Sequence, residues 1–152
     1  MAEFQLYCFG ESGNAYKAAL MLALTGLDWE PVFVDFFNGE TRSATYREKI
    51  NKLGEAPVLE HGSTRLSQSG VILDYLVEQS GQFGPKDARH RRDIWRWILF
   101  DNHKFTSYLA TLRFLTRFVD GSEPAVLGFL TARAQTALGI VDKHLSVQSF
   151  VT

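Results

Sequence analysis

One change in the spacing of apolar residues divides this chain and limits the folds open to it. Up to residue 80 short apolar runs alternate with helical patterns; beyond the loop SGQFGPKD, residues 80–87, no strand pattern occurs. The run FQLYCF, Phe4 to Phe9, is bounded by Gly10 and predicts a first strand. Ala15, Ala18, Ala19, Leu22 and Leu24 then recur at helical spacing, and Gly26 stands where a helix ends, so a helix is expected over Ala15 to Leu24. WEPVFVDF, Trp29 to Phe36, is rich in β-branched and aromatic residues and predicts a second strand, whereas NGETRSATYREKINK is polar with a weak helical tendency. Val58 to Glu60 and Thr64 to Leu66 flank HGS as a hairpin, and Ser69 opens a helix carrying Val71, Ile72, Tyr75 and Leu76. The order is β-α-β-α-β-β-α.

The rest of the chain is helical. Ile94, Ile98, Phe105, Tyr108, Leu112, Leu115 and Val119 are spaced by three, four and seven, which predicts one long amphipathic helix over 88–119. DGSEP breaks it, and Pro124 fits the first turn of a second helix whose face is Leu127, Leu130, Ala134, Ala137, Val141 and Leu145. The expected organisation is an α/β domain over 1–80, a linker over 81–87 and an all-helical domain over 88–152, with no internal repeat.

Composition narrows the function classes. The chain has 152 residues, 45% of them hydrophobic, and a formal charge of −1, which describes a globular chain and gives no electrostatic argument for nucleic acid or an anionic membrane surface. The short run Arg89, Arg91, Arg92 reads as the solvated start of a helix. No charged-then-apolar leader and no apolar run of bilayer-spanning length is seen, so a cytoplasmic location is expected. The single cysteine, Cys8, excludes an intramolecular disulfide and a C-x-x-C pair. His61, His90, His103 and His144 lack ligand spacing, so no metal is expected.

Three stretches together resemble the glutathione S-transferase family: LYCFGESGNAYKAALMLAL over residues 6–24, NKLGEAPVLEHGSTRLSQSGVILDYL over residues 51–76, and the long helix starting just after residue 86. The middle stretch is the specific one, with G-x-[AV]-P-V-L followed by a hairpin and L-x-Q-S. The resemblance covers the whole chain and leans to the serine-type, bacterial theta- or beta-like branch. It implies an α/β thioredoxin-like N-terminal domain followed by an all-α C-terminal domain, a homodimer, glutathione as co-substrate and a small apolar electrophile, a detoxification chemistry. SVQSFVT ends where similar proteins continue with a polar turn and a buried helix, so the helical domain reads as truncated.

The chemistry expected is thiol ionisation. A thiol with a pKa of about 8.5 is only slightly ionised at neutral pH, and the thiolate is the nucleophile. A hydroxyl at a helix N-terminus stabilises that anion through its O–H and through the free N–H groups of the first turn. Ser12 has that position, and it reads equally as a simple helix cap. Asn14 is the second candidate donor or cap; Tyr7 and Cys8 are rivals that pack equally well as strand residues, and Glu11 is expected to face solvent.

By the resemblance, Ala56 would pair its backbone with the tripeptide, Pro57 would fix that turn through a cis bond, and Gln68 with Ser69 would take the γ-glutamyl carboxylate. Read alone, Pro57 also suits the start of an edge strand and Ser69 a capping role. Glu55 departs from the family pattern, where a basic or neutral residue is common, and a charge beside the glycine carboxylate would weaken binding. Phe9, Gly10, Tyr108, Leu112 and Arg113 are the expected electrophile pocket. Two other functions fit the same residues: a glutathione-dependent peroxidase or disulfide reductase, and a non-catalytic binding or scaffold module.

Overall fold

The computed structural model describes residues 2–152. It divides into two compact units, one ending at Gly84 and the other spanning Pro85–Thr152. In the first unit, β1 (Phe4–Cys8), α1 (Gly13–Thr25) and β2 (Trp29–Phe33) are followed by a 3₁₀ turn (Glu40–Arg42), α2 (Ala44–Lys49), β3 (Val58–His61), β4 (Thr64–Ser67) and α3 (Ser69–Ser80). The strands lie in the order β2-β1-β3-β4. β1 and β2 are parallel, which demands a crossover element between them, and α1 supplies it. The β1–β3 and β3–β4 pairs are antiparallel. This is the thioredoxin-like arrangement that the resemblance implies.

Alternation along the strands divides the buried residues between two faces. Phe4 and Leu6 of β1 and Leu59 of β3 meet Ala18, Met21 and Leu22 of α1 and Ile72 and Leu76 of α3 in one buried cluster. Tyr7 and Val58, each one position along, turn to the opposite face of the sheet. β2 stops at Phe33, short of the expected Phe36. Val34 is buried, the Phe36 N–H bonds back to the Val34 carbonyl at 2.8 Å, and the Gly39 N–H bonds to the Phe36 carbonyl at 3.0 Å. The Val34 N–H still bonds to the Cys8 carbonyl at 2.9 Å, and the fold-back turns residues 35–37 away from β1.

The second unit contains helices, and no strand follows β4 among the described residues. Asp87 caps α4 (Ala88–Phe100) by accepting the His90 N–H at 2.8 Å. The helix then runs without a break through a π-helical stretch (Asp101–Ala110) into α5 (Thr111–Phe118). One regular helix over 88–119 was the expectation, and the widened middle corrects it. In a π-helix residues five apart stack along one side. Phe100 meets Phe105 edge-on with ring centroids 5.9 Å apart, and His103 lies 6.1 Å from Tyr108. The Ser107 hydroxyl likewise donates to the Asn102 carbonyl, five residues back, at 3.4 Å.

α6 (Pro124–Leu145) starts on its proline and buries Leu130, Ala134 and Ala137. By length and composition alone this helix is apolar enough to cross a membrane, with a mean hydropathy of 1.2 over its best window, which the sequence reading did not anticipate. Its buried face packs within the helical unit, and the exposed Phe129 makes a T-shaped contact with Tyr108 at 6.3 Å between ring centroids.

Candidate functional site

Ser12 ends the β1–α1 corner. Its backbone is extended (φ −81°, ψ 111°), its Oγ accepts the Ala15 N–H at 3.1 Å, and its own N–H donates to the Phe9 carbonyl at 3.1 Å. A hydroxyl oxygen has two lone pairs and one proton. The cap occupies one lone pair and leaves the O–H to donate elsewhere. Capping and thiolate stabilisation are therefore compatible uses of one side chain. The first turn of α1 holds no acidic residue, so the partial positive charge of about half a unit at its N-terminus is not offset from within the helix. Glu11, just before it, is exposed.

Asn14 joins this corner to another. Its Oδ1 accepts the Lys17 ammonium at 3.1 Å and the Ser69 hydroxyl at 3.4 Å, across 55 positions of sequence. Asn14 thus ties the start of α1 to the start of α3. α3 itself has no side-chain cap: Gln68 occupies the capping position at φ 71° and ψ 114°, and its amide donates instead to Glu55 Oε2 at 2.6 Å. An uncapped first turn keeps its N–H groups for a ligand.

The turn that carries Ala56 is anchored from below. The Ala56–Pro57 peptide is cis and Pro57 is buried. The Glu55 carbonyl accepts the Tyr46 hydroxyl at 3.0 Å and the Asn51 amide at 2.9 Å, while Asn51 Oδ1 accepts the Leu53 N–H at 3.1 Å. Tyr46 and Asn51 are buried, and burial first, then the Glu40 carboxylate, pushes the Tyr46 hydroxyl up to about 12. Tyr46 therefore stays a donor at any ordinary pH. Gly54 has φ 68°, and a Cβ there would lie 2.8 Å from the Thr41 carbonyl, so glycine is required before this turn. Sequence reasoning had Gly54 in the motif but missed Tyr46 and Asn51.

The rival groups are occupied elsewhere. The Tyr7 hydroxyl reaches Glu60 at 3.5 Å on the sheet face opposite Leu6, and burial and then the Glu60 carboxylate hold its pKa above the ordinary value. Cys8 packs against the core cluster, and burial pushes its thiol up. The Cys8 thiol is thus not prepared as an anion, and the Tyr7 hydroxyl donates to Glu60. Phe9 stacks on Phe36 at 4.4 Å, and Phe37 closes edge-on at 6.0 Å from Phe9. Gly10 is exposed. Tyr108 and Leu112, half-buried, and Arg113, exposed, belong to the helical unit. Among the described residues no group of three or more His, Cys, Asp or Glu side chains is placed to hold a metal ion.

Residues 2–78, carrying all of Ser12, Asn14, Ala56, Pro57, Gln68 and Ser69, match the family model described as glutathione S-transferase, N-terminal domain. The chain belongs to the glutathione S-transferase family. It is 34% identical over 115 residues to glutathione S-transferase F14 of Arabidopsis thaliana, covering 73% of this chain and 45% of that protein. It is 31% identical over 112 residues to protein LigF of a Sphingobium species, covering 71% and 43%. A solved glutathione S-transferase from Pseudomonas fluorescens superposes with a TM-score of 0.91 at 32% identity, covering 99% of this chain and 75% of that one. A Pseudomonas putida glutathione transferase solved with glutathione disulfide bound shares the fold, with a TM-score of 0.88 at 23% identity. This glutathione S-transferase chain spans about half the length of the sequence relatives it matches.

Proposed function

We propose that the first unit binds glutathione and that Ser12 ionises the bound thiol for transfer to a small apolar electrophile. The observation that carries this reading is the Ser69–Asn14 contact of 3.4 Å, which sets two helix N-termini, one capped by Ser12 and one uncapped, beside each other. In this reading Ser12 donates to the sulfur, Ala56 pairs with the cysteinyl backbone, Pro57 holds that turn, and Ser69 with the first turn of α3 takes the γ-glutamyl carboxylate. In this reading Asn14 acts as a positioning residue, its carbonyl oxygen joining Lys17 and Ser69.

Phe9 and Gly10 in the first unit would contact the electrophile. A serine-type branch, a homodimer and a cytoplasmic location go with the same reading. Retention on immobilised glutathione, followed by turnover with a chlorinated aromatic, tests it. Turnover only with hydroperoxides or mixed disulfides would replace conjugation by the peroxidase or reductase reading. Absence of retention would leave a fold without the glutathione site.

A further inference from the structure

Glu3, His61 and Tyr75 form a chain of hydrogen bonds that the glutathione reading does not use. The imidazole lies between the other two: its Nε2 is 3.2 Å from Glu3 Oε1 and its Nδ1 is 2.7 Å from the Tyr75 hydroxyl. An ionised carboxylate only accepts, so Nε2 carries the ring proton toward Glu3, and in the neutral ring Nδ1 is then the acceptor of the Tyr75 O–H. The imidazole is held in that orientation. It stacks on Phe4 with ring centroids 4.1 Å apart and planes 25° apart. Asp28 fixes the segment that carries the carboxylate: the Glu3 N–H donates to Asp28 Oδ2 at 3.3 Å, and the Phe4 N–H to the Asp28 carbonyl at 3.0 Å. Tyr75 is half-buried and packs against the core cluster.

A hydroxyl bonded to an imidazole whose far nitrogen is oriented by a carboxylate is the arrangement of an activated nucleophile. A phenol is a weak nucleophile while it keeps its proton, and a base within hydrogen-bond reach removes that proton as attack occurs. The Tyr46 hydroxyl, by contrast, donates to a carbonyl, which is no base. We infer that Tyr75 is a nucleophile served by His61 as its base and Glu3 as a positioning residue, and that it takes the acyl group of an activated aryl ester. Tyr75 Oη bonds to the acyl carbon as its proton passes to His61 Nδ1. The bond from that carbon to the phenolate breaks, and the imidazolium returns the proton to the departing phenolate. One ester and one tyrosine give a Tyr75 ester and a phenol, with no further reactant. None of the three residues is assigned to glutathione, so the inference stands apart from that reading.

The test is timed acetylation of the full chain by p-nitrophenyl acetate without glutathione, with the labelled residues read by peptide mass spectrometry. Tyr16, 64% exposed, is the internal reference for an unassisted tyrosine. In the wild type Tyr75 is expected to be acetylated about a hundredfold faster than Tyr16, the low end of what a positioned base supplies. His61→Gln should bring Tyr75 down to the rate of Tyr16. Glu3→Gln keeps an acceptor for the Nε2–H but not the charge, and because Glu3 is exposed it should slow Tyr75 only about threefold, with the rate at Tyr16 and the thermal midpoint unchanged. Equal rates at Tyr75 and Tyr16 in the wild type overturn the inference without recourse to any variant. So does a His61→Gln or Glu3→Gln chain that acetylates Tyr75 as fast as the wild type.

Discussion

Tyr46 is the residue on which the turn at Ala56 depends most and which the sequence advertises least. It lies in a polar stretch with only a weak helical pattern, yet its hydroxyl and the Asn51 amide hold the carbonyl before Ala56. Tyr46→Phe leaves Asn51 as the remaining donor and is expected to cost about 1 kcal/mol of stability, together with weaker glutathione binding, measured by denaturant unfolding and titration calorimetry. The pH dependence has a definite sign. The hydroxyl pKa is raised from 10.0 to about 12 in the folded protein, so the native state keeps a proton that the unfolded chain loses first. Stability from this group is full below pH 10 and falls as pH rises toward about 12, and Tyr46→Phe should flatten that decline. Cys8 follows the same logic: burial raises its thiol, so iodoacetamide should label it far more slowly in the folded protein than in urea. Rapid labelling at neutral pH would restore Cys8 as a reactive rival.

At the scale of elements, what the sequence made legible was what neighbouring residues decide. The helix start at Ser12, the hairpin around Gly62 and the cap at Asp87 each rest on residues within a few positions of one another. The Asn14–Ser69 contact spans 55 positions and no local pattern encodes it. The widened helix between Asp101 and Ala110 is a different case, because its signal is local and was overlooked. Spacings of three, four and seven trace one face of a regular helix, whereas the ring pairs Phe100–Phe105 and His103–Tyr108 are five apart and suit i→i+5 turns. Phe105→Ala removes one of those pairs. The expected result is a loss of about 1 kcal/mol with unchanged glutathione affinity, checked by thermal unfolding and calorimetry, because Phe105 lies outside the first unit.

For the whole molecule, the division into two units separates what family membership carries from what it leaves to the individual protein. The family match ends at residue 78, inside the first unit, and all the residues assigned to glutathione lie within it. The side chains that hold an apolar electrophile are themselves apolar and aromatic, and such residues serve equally as core, which is why the sequence named no substrate. Ser12 joins the two levels, since one hydroxyl both caps α1 and is the proposed donor to sulfur. The most direct measurement is the ultraviolet thiolate absorbance of glutathione bound to the intact chain, followed against pH for the wild type, Ser12→Ala and Asn14→Ala. Ser12→Ala should raise the pKa of the bound thiol by about one unit, the effect of one charge-assisted hydrogen bond, with little change in affinity. Asn14→Ala should leave that pKa nearly in place. A bound thiol that titrates identically in the wild type and Ser12→Ala, or that shifts only in Asn14→Ala, would contradict the assignment of Ser12.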